Sequence, residues 1–151
     1  MARRRDLAFA SLDEVMPDVE RLLAGHVTVG RWSLGQICNH LATNIRFTMD
    51  GFPDKAPWLV QRTVGVMVRG LMLGTGRIAS GVRVPEAYLP KPGLEDAAEA
   101  AALRASIERF STFTGMFAGH PLLGRMRRDQ WERFHRIHCA HHLSFALPRR
   151  A

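Results

Sequence analysis

The sequence predicts an all-α helical bundle, with four main helices, one short extra helix and a long irregular connection. Three observations predict it. Apolar residues recur at three- and four-residue spacing in several segments. Two Ser-x-x-Glu/Gln boxes mark helix starts. No segment alternates convincingly between apolar and polar residues as a half-buried strand does.

SLDE (11–14) fits a capping box, Ser11 capping and Glu14 reaching back, and Val15, Val19, Leu22 and Leu23 follow at helical spacing. Pro17 lacks an N–H and crowds the preceding turn, so this helix either kinks there or starts at Pro17. In RWSLGQICNHL (31–41), Ser33 and Gln36 form the second box, and Trp32 and Ile37 stand where a hydrophobic staple places them. The helix is expected over 34–48, stopping at Asp50-Gly51, and DGFPDKAP (50–57) reads as a loop. Residues 58–73 read as a third helix despite their valines. The glycines of the irregular 74–93 segment lack the spacing and the strand–turn–helix setting of a nucleotide-binding loop. The strongest helix by propensity is 94–117, with Leu103, Ile107, Phe110 and Phe113 on its apolar side. HPLLG (120–124) is a turn, and a last helix is expected over 129–147, ending before Pro148.

A length of 151 residues fits one domain, 1–151, able to bury a core without disulfides. The basic start MARRRDLAF is followed by no apolar run of signal-peptide length, and the longest apolar stretch, 58–73, contains Arg62 and Arg69 and falls short of the roughly 20 residues of a membrane span. A soluble, cytoplasmic protein is expected, with no membrane partner. Cys38 and Cys139 are expected to be free core thiols. The net charge is +7, and every basic residue but Lys55 and Lys91 is arginine. Those arginines are scattered, with short clusters at 3–5, 125–128 and 149–150 and no aromatics interleaved for base stacking, which points away from nucleic acid. An anionic small substrate is compatible with this charge.

Chemistry concentrates in HRIHCAHHLSF (135–145), four histidines in eight positions. At about 100° per residue, Trp131, Phe134, His142 and Phe145 fall within about 40° of His138, and His135 and His141 lie about 60° to either side. His138 and His142 thus occupy the middle of the buried stripe, one turn apart. A lone buried histidine is more often a hydrogen-bonded core residue than a ligand. Two at i and i+4 are costly side by side, and a divalent metal relieves that cost by taking the lone pair of each neutral ring. A third ligand must come from elsewhere. His40 is the best candidate although it lies toward the edge of its helix's apolar side; His26, in a loop, and His120, in a turn, are the others.

The stretches WSLGQICNHLA and HRIHCAHHLSF resemble the DinB-like superfamily of bacterial four-helix bundles, and GFP (51–53), HPLLG and QW (130–131) resemble one uncharacterised branch of it, a domain of unknown function. The resemblance covers nearly the whole chain. It implies an up-down-down-up bundle, often a homodimer, in which His40, His138 and His142 bind a divalent metal, zinc or nickel. Several members of that superfamily are thought to be transferases using a low-molecular-weight thiol.

Two functions follow as expectations. The first is a metal-dependent enzyme, a thiol-dependent transferase or a hydrolase acting on a small molecule. Three histidines leave coordination positions open, a metal there would lower the pKa of a bound water or thiol, and His141 or His135 would carry the proton. The second is a non-catalytic metal-binding or stress-response protein.

Overall fold

The computed structural model describes residues 3–79 and 85–149. Part of the 74–93 connection (80–84) and Arg150 of the basic pair lie outside them. The described chain is mostly helical, with one short two-stranded sheet. A 3-10 turn (Leu12–Glu14) leads into α1 (Val15–Leu23), and β1 (His26–Thr28) and α2 (Leu34–Asp50) follow. Then α3 (Trp58–Val60), a π turn (Gln61–Gly65) and α4 (Val66–Thr75) run on as one helix. A second 3-10 turn (Glu86–Tyr88) precedes α5 (Asp96–Thr112), α6 (Arg128–Leu143) and β2 (Ala146–Pro148).

The start of α1 departs from expectation. Ser11 makes no side-chain cap, and the Glu14 carboxylate accepts from Ala10 N at 2.7 Å instead of Ser11 N. Pro17 falls in the first turn of α1, where a backbone N–H has no intrahelical partner, so its missing donor costs nothing. The box at α2 forms as expected: Gln36 N donates to Ser33 Oγ at 3.2 Å, and Ser33 N donates to Gln36 Oε1 at 3.0 Å. Helix α2 runs two residues beyond the expected 48 and ends on Gly51, whose φ of 106° lies in the region that favours glycine.

Two helices of the second half end earlier than expected. The helix expected over 94–117 stops at Thr112, where the threonines and Gly115 of TFTG make further turns unfavourable. Helix α6 stops at Leu143, and β2 pairs antiparallel with β1, His26 opposite Pro148 and Thr28 opposite Ala146. Strands of three residues carry too few positions to show alternation, which is why no strand was expected.

The core is shared by α1, α2, α5 and α6, with α2 packed most extensively on α5. Val15, Val19 and Leu22 meet Leu34, Ile37, Leu41 and Ile45, with Leu103 and Phe110 from α5 and Trp131 and Leu143 from α6. The N-terminal segment is clamped over this core. Arg5 donates to both oxygens of buried Asp18 at 2.8 and 2.7 Å and to Leu143 O at 3.0 Å. Burial alone would raise the Asp18 carboxyl, but the bonds from Arg5 and Arg21 outweigh it and hold it below its ordinary value. Both cysteines are free and buried, as expected, and burial pushes the Cys38 thiol up to about 12.

The GFP, HPLLG and QW motifs meet in one place. Phe52 stacks on Trp131 with centroids 6.1 Å apart, and His120 packs on Phe52, Trp131 and Phe134. Gln130 Oε1 accepts from Arg127 N and so caps α6. The turn is tied to the π segment, where Gln61 Nε2 donates to Pro121 O at 2.9 Å. A Cβ at Gly65 would stand 2.1 Å from Leu122 O. Gly65→Ala is therefore expected to destabilise by about 2–3 kcal/mol, as overpacking against backbone does, read as a lower urea midpoint at unchanged slope. An unchanged midpoint would show that the turn moves freely.

Candidate metal centre

Three of the seven histidines converge. His40 comes from the middle of α2, and His138 and His142 stand one turn apart on α6. His138 Nε2 lies 3.2 Å from His40 Nε2 and 3.1 Å from His142 Nε2. All three ligand atoms lie within 4.8 Å of one another, the only such group of histidine, cysteine and carboxylate side chains among the described residues. His40 and His138 are buried and His142 is partly buried.

The protons do not fit this arrangement without a cation. His40 Nδ1 is 2.9 Å from Tyr88 O, an acceptor, so Nδ1 carries the hydrogen and donates it, leaving the Nε2 lone pair bare toward His138. His138 Nε2 holds at most one hydrogen and can direct it to His40 or to His142, but not to both. One close nitrogen–nitrogen contact is therefore always unsatisfied while the rings are neutral. Protonation does not relieve it, because burial pushes all three rings down, His142 to about 2, charge on His142 or His40 also disfavours charge on His138, and charge on His40 disfavours it on His142. A cation accepting the lone pairs satisfies all three. Nitrogens bound at 2.0–2.1 Å to a tetrahedral ion lie about 3.3 Å apart, close to the separations found here. The donor set of three neutral imidazoles suits zinc, nickel and similar borderline metals.

The surroundings of the cluster orient its rings. The carbonyl of Tyr88 fixes the tautomer of His40, and the Tyr88 hydroxyl in turn donates to Asp54. Tyr88 belongs to the irregular connection, so part of that segment serves the site. Trp32 stacks on His142, centroids 5.3 Å apart and planes 17° apart, and tilts against His40 at 4.9 Å. Sequence spacing placed Trp32 in a staple with Ile37; its ring lies over the histidines. Tyr88 contributes only a backbone acceptor, which no sequence motif records.

The remaining histidines divide clearly. His141 is half-buried, its ring edge-on to His142 at 4.9 Å, and burial, Arg4 and His40 lower its pKa. His135 is 1 % exposed. It stacks on Trp131 at 5.4 Å, meets Thr48 Oγ at 3.1 Å through Nε2, and has no partner for Nδ1 among the described residues. Burial pushes it down to about 3. It faces the aromatic core. The two alternative third ligands are engaged elsewhere: His120 Nδ1 accepts from Leu122 N and Leu123 N at 3.1 Å, and His26 Nδ1 is 2.9 Å from Leu22 O.

A model described as "Protein of unknown function (DUF1569)" matches residues 1–149. The chain belongs to the DUF1569 family. No curated protein and no solved structure matches it. Among its described residues no helix is long and apolar enough to cross a membrane.

Proposed function

We propose that this protein is a metal-dependent enzyme of DinB-like, up-down-down-up bundle topology, acting on a small molecule at a centre held by His40, His138 and His142. The single observation that carries the reading is the convergence of three Nε2 atoms whose hydrogen bonds cannot all be satisfied by neutral rings. Zinc or nickel bound there supplies Lewis acidity, which activates a water or thiol nucleophile. Three protein ligands leave a position for that nucleophile or for substrate. His141, half-buried beside His142, is the group placed to take up and return its proton; His135, enclosed in the core, is not. Arg4, exposed over the Phe145 ring at 5.5 Å, brings positive charge to the His141 side and favours an anionic substrate. Thiol-dependent transfer and hydrolysis are both consistent with this set.

The test is elemental analysis of protein purified without tag or chelator, followed by titration with zinc and with nickel. About one ion per chain is expected. A protein that arrives empty and binds neither metal ends the reading. A loaded protein inactive both in thiol addition to an activated aryl halide and in ester hydrolysis supports a non-catalytic metal-binding role instead.

Trp32 provides a second measurement. Among the described residues the only hydrogen-bond partner of the His142 ring is His138, and the stacked indole supports its other side. Trp32→Ala is expected to weaken zinc binding about tenfold or more, the scale of lost outer-shell support, while Trp32→Phe stays within a few-fold of the parent. Calorimetric titration decides it, and equal affinity for the alanine variant would remove Trp32 from the site.

A further inference from the structure

The 50–57 loop and the HPLLG turn contribute no ligand to the three-imidazole cluster. They are nonetheless tied to it through Asp54. The Asp54 carboxylate accepts the hydroxyl hydrogen of Tyr88, and the Tyr88 carbonyl accepts the Nδ1 hydrogen of His40, nitrogen to oxygen 2.9 Å. Tyr88 joins the two with its opposite ends.

That carbonyl belongs to the backbone, so its worth to His40 depends on where it is held. The turn that carries it is short, Glu86–Tyr88, closed by Tyr88 N to Pro85 O and Leu89 N to Glu86 O, each 3.0 Å. Pro85 and Pro90 on either side have no N–H to donate. A single 3-10 turn, with its poorer hydrogen-bond geometry, does little to fix the carbonyl by itself. The Tyr88 side chain supplies the anchorage: it is buried, lies edge-to-face with Phe47 at 5.7 Å, and ends on Asp54.

The other end is firm. Ala56 N donates to Pro121 O at 2.9 Å, and Gln61 Nε2 donates to Ala56 O and to Pro121 O, both at 2.9 Å. Phe52 lies on Trp131 and against His120. Asp54 sits between these fixed points, near enough to His120 for its charge to favour protonation of that ring. The loop and the turn therefore set the position of the carboxylate, and the carboxylate sets that of Tyr88.

We infer that Asp54 is a positioning residue of the metal centre: through the Tyr88 ring it holds the carbonyl that keeps the hydrogen of His40 on Nδ1 and the Nε2 lone pair toward the other two rings. The inference rests on the metal-binding reading of those rings, and it gives the 50–57 loop and the HPLLG turn a part in it. Without the Asp54 bond the carbonyl drifts, and His40 exchanges its hydrogen between Nδ1 and Nε2. A ring carrying Nε2–H has no lone pair there for a cation.

Three variants separate this role from support of the loop alone. Asp54→Ala and Tyr88→Phe each remove the bond, and Asp54→Asn keeps an acceptor oxygen. Asp54 is exposed and phenylalanine keeps the ring, so all three should fold. For each, the zinc dissociation constant is read by chelator competition, and the His40 tautomer in metal-free protein by nitrogen NMR shifts of histidine-labelled samples. The parent should hold His40 as the Nδ1–H form. Asp54→Ala and Tyr88→Phe should show an added Nε2–H population and bind zinc about tenfold more weakly, the lower end of what a lost ligand partner costs. Their double variant should be no worse than either alone, because both remove one bond. Asp54→Asn should stay within a few-fold of the parent. Alanine and phenylalanine variants that keep the parent's tautomer overturn the inference whatever their zinc affinity, since the effect would not pass through His40 Nδ1. Unchanged zinc binding in both, or an asparagine variant as weak as the alanine one, overturns it too. A parent that binds no zinc fails the metal reading instead, and the tautomer still decides whether Asp54 positions His40.

Discussion

Metal-free protein is expected to lose about 6 kcal/mol of stability between pH 6.5 and pH 5. Burial pushes His120 down to about 4, His135 to about 3 and His142 to about 2, with Asp54 only partly offsetting the first. In the unfolded chain each titrates near 6.5. Below that pH the unfolded state takes up protons that the folded state refuses, so stability falls as pH falls. The stabilising difference is complete above pH 6.5 and is lost progressively toward each folded-state pKa. At 1.36 kcal/mol per pH unit, each ring accounts for about 2 kcal/mol by pH 5. Three rings together approach the whole stability of a typical domain, about 5–15 kcal/mol. His40 and His138 are lowered too and act in the same direction. Asp18 belongs to a separate window: its carboxyl is held below 3.8, so its contribution is intact above that value and is lost only as pH drops further. Urea unfolding in chelator from pH 8 to pH 4 measures the curve, and equal stability at pH 8 and pH 5 would contradict it. His135→Leu should flatten the curve by one proton, because Thr48 keeps its hydrogen bond to Asn44 O.

What the sequence made legible follows from which features leave a local mark. The capping box at Ser33 and Gln36 is local chemistry, and it appears as expected. The i,i+4 pair His138 and His142 is helical geometry, so spacing alone places both rings on one side of α6. His40 was harder. Periodicity put it at the edge of its helix, and it is buried because Tyr88 and Trp32 come over it from outside α2. Those two neighbours are tertiary facts, one a carbonyl without residue identity and the other a ring that lies against histidines of two helices. The apolar content of 58–73 marks a helix correctly, yet composition does not say whether an apolar helix is covered by its own chain or by another. The strand pair β1–β2 rests on three residues a side and on contacts between distant parts of the chain.

Zinc at a thousand times its dissociation constant is expected to stabilise the protein by about 4 kcal/mol, and replacing His138 to abolish that gain entirely. For a domain of this size the gain amounts to a rise of about 8–16 °C in Tm. His138 is the ligand to test because its Nε2 is the atom that both other rings approach, at 3.2 and 3.1 Å. Without it, His40 and His142 remain as two ligands, too few for a stable site of the kind three imidazoles make. His138→Ala also opens a cavity, which lowers Tm by itself, so His138→Leu is the better comparison because it keeps most of the volume. The leucine variant should show no zinc shift. In chelator at pH 5 it should lose less stability, relative to pH 7, than the parent loses, since one buried ring no longer resists protonation. Cys139→Ala controls for disturbance of α6: this thiol is buried, pushed up by burial, and outside the cluster, so its variant should keep the full zinc shift. If His138→Leu kept the shift, zinc would be binding elsewhere, and the three converging imidazoles would have to be explained as core residues.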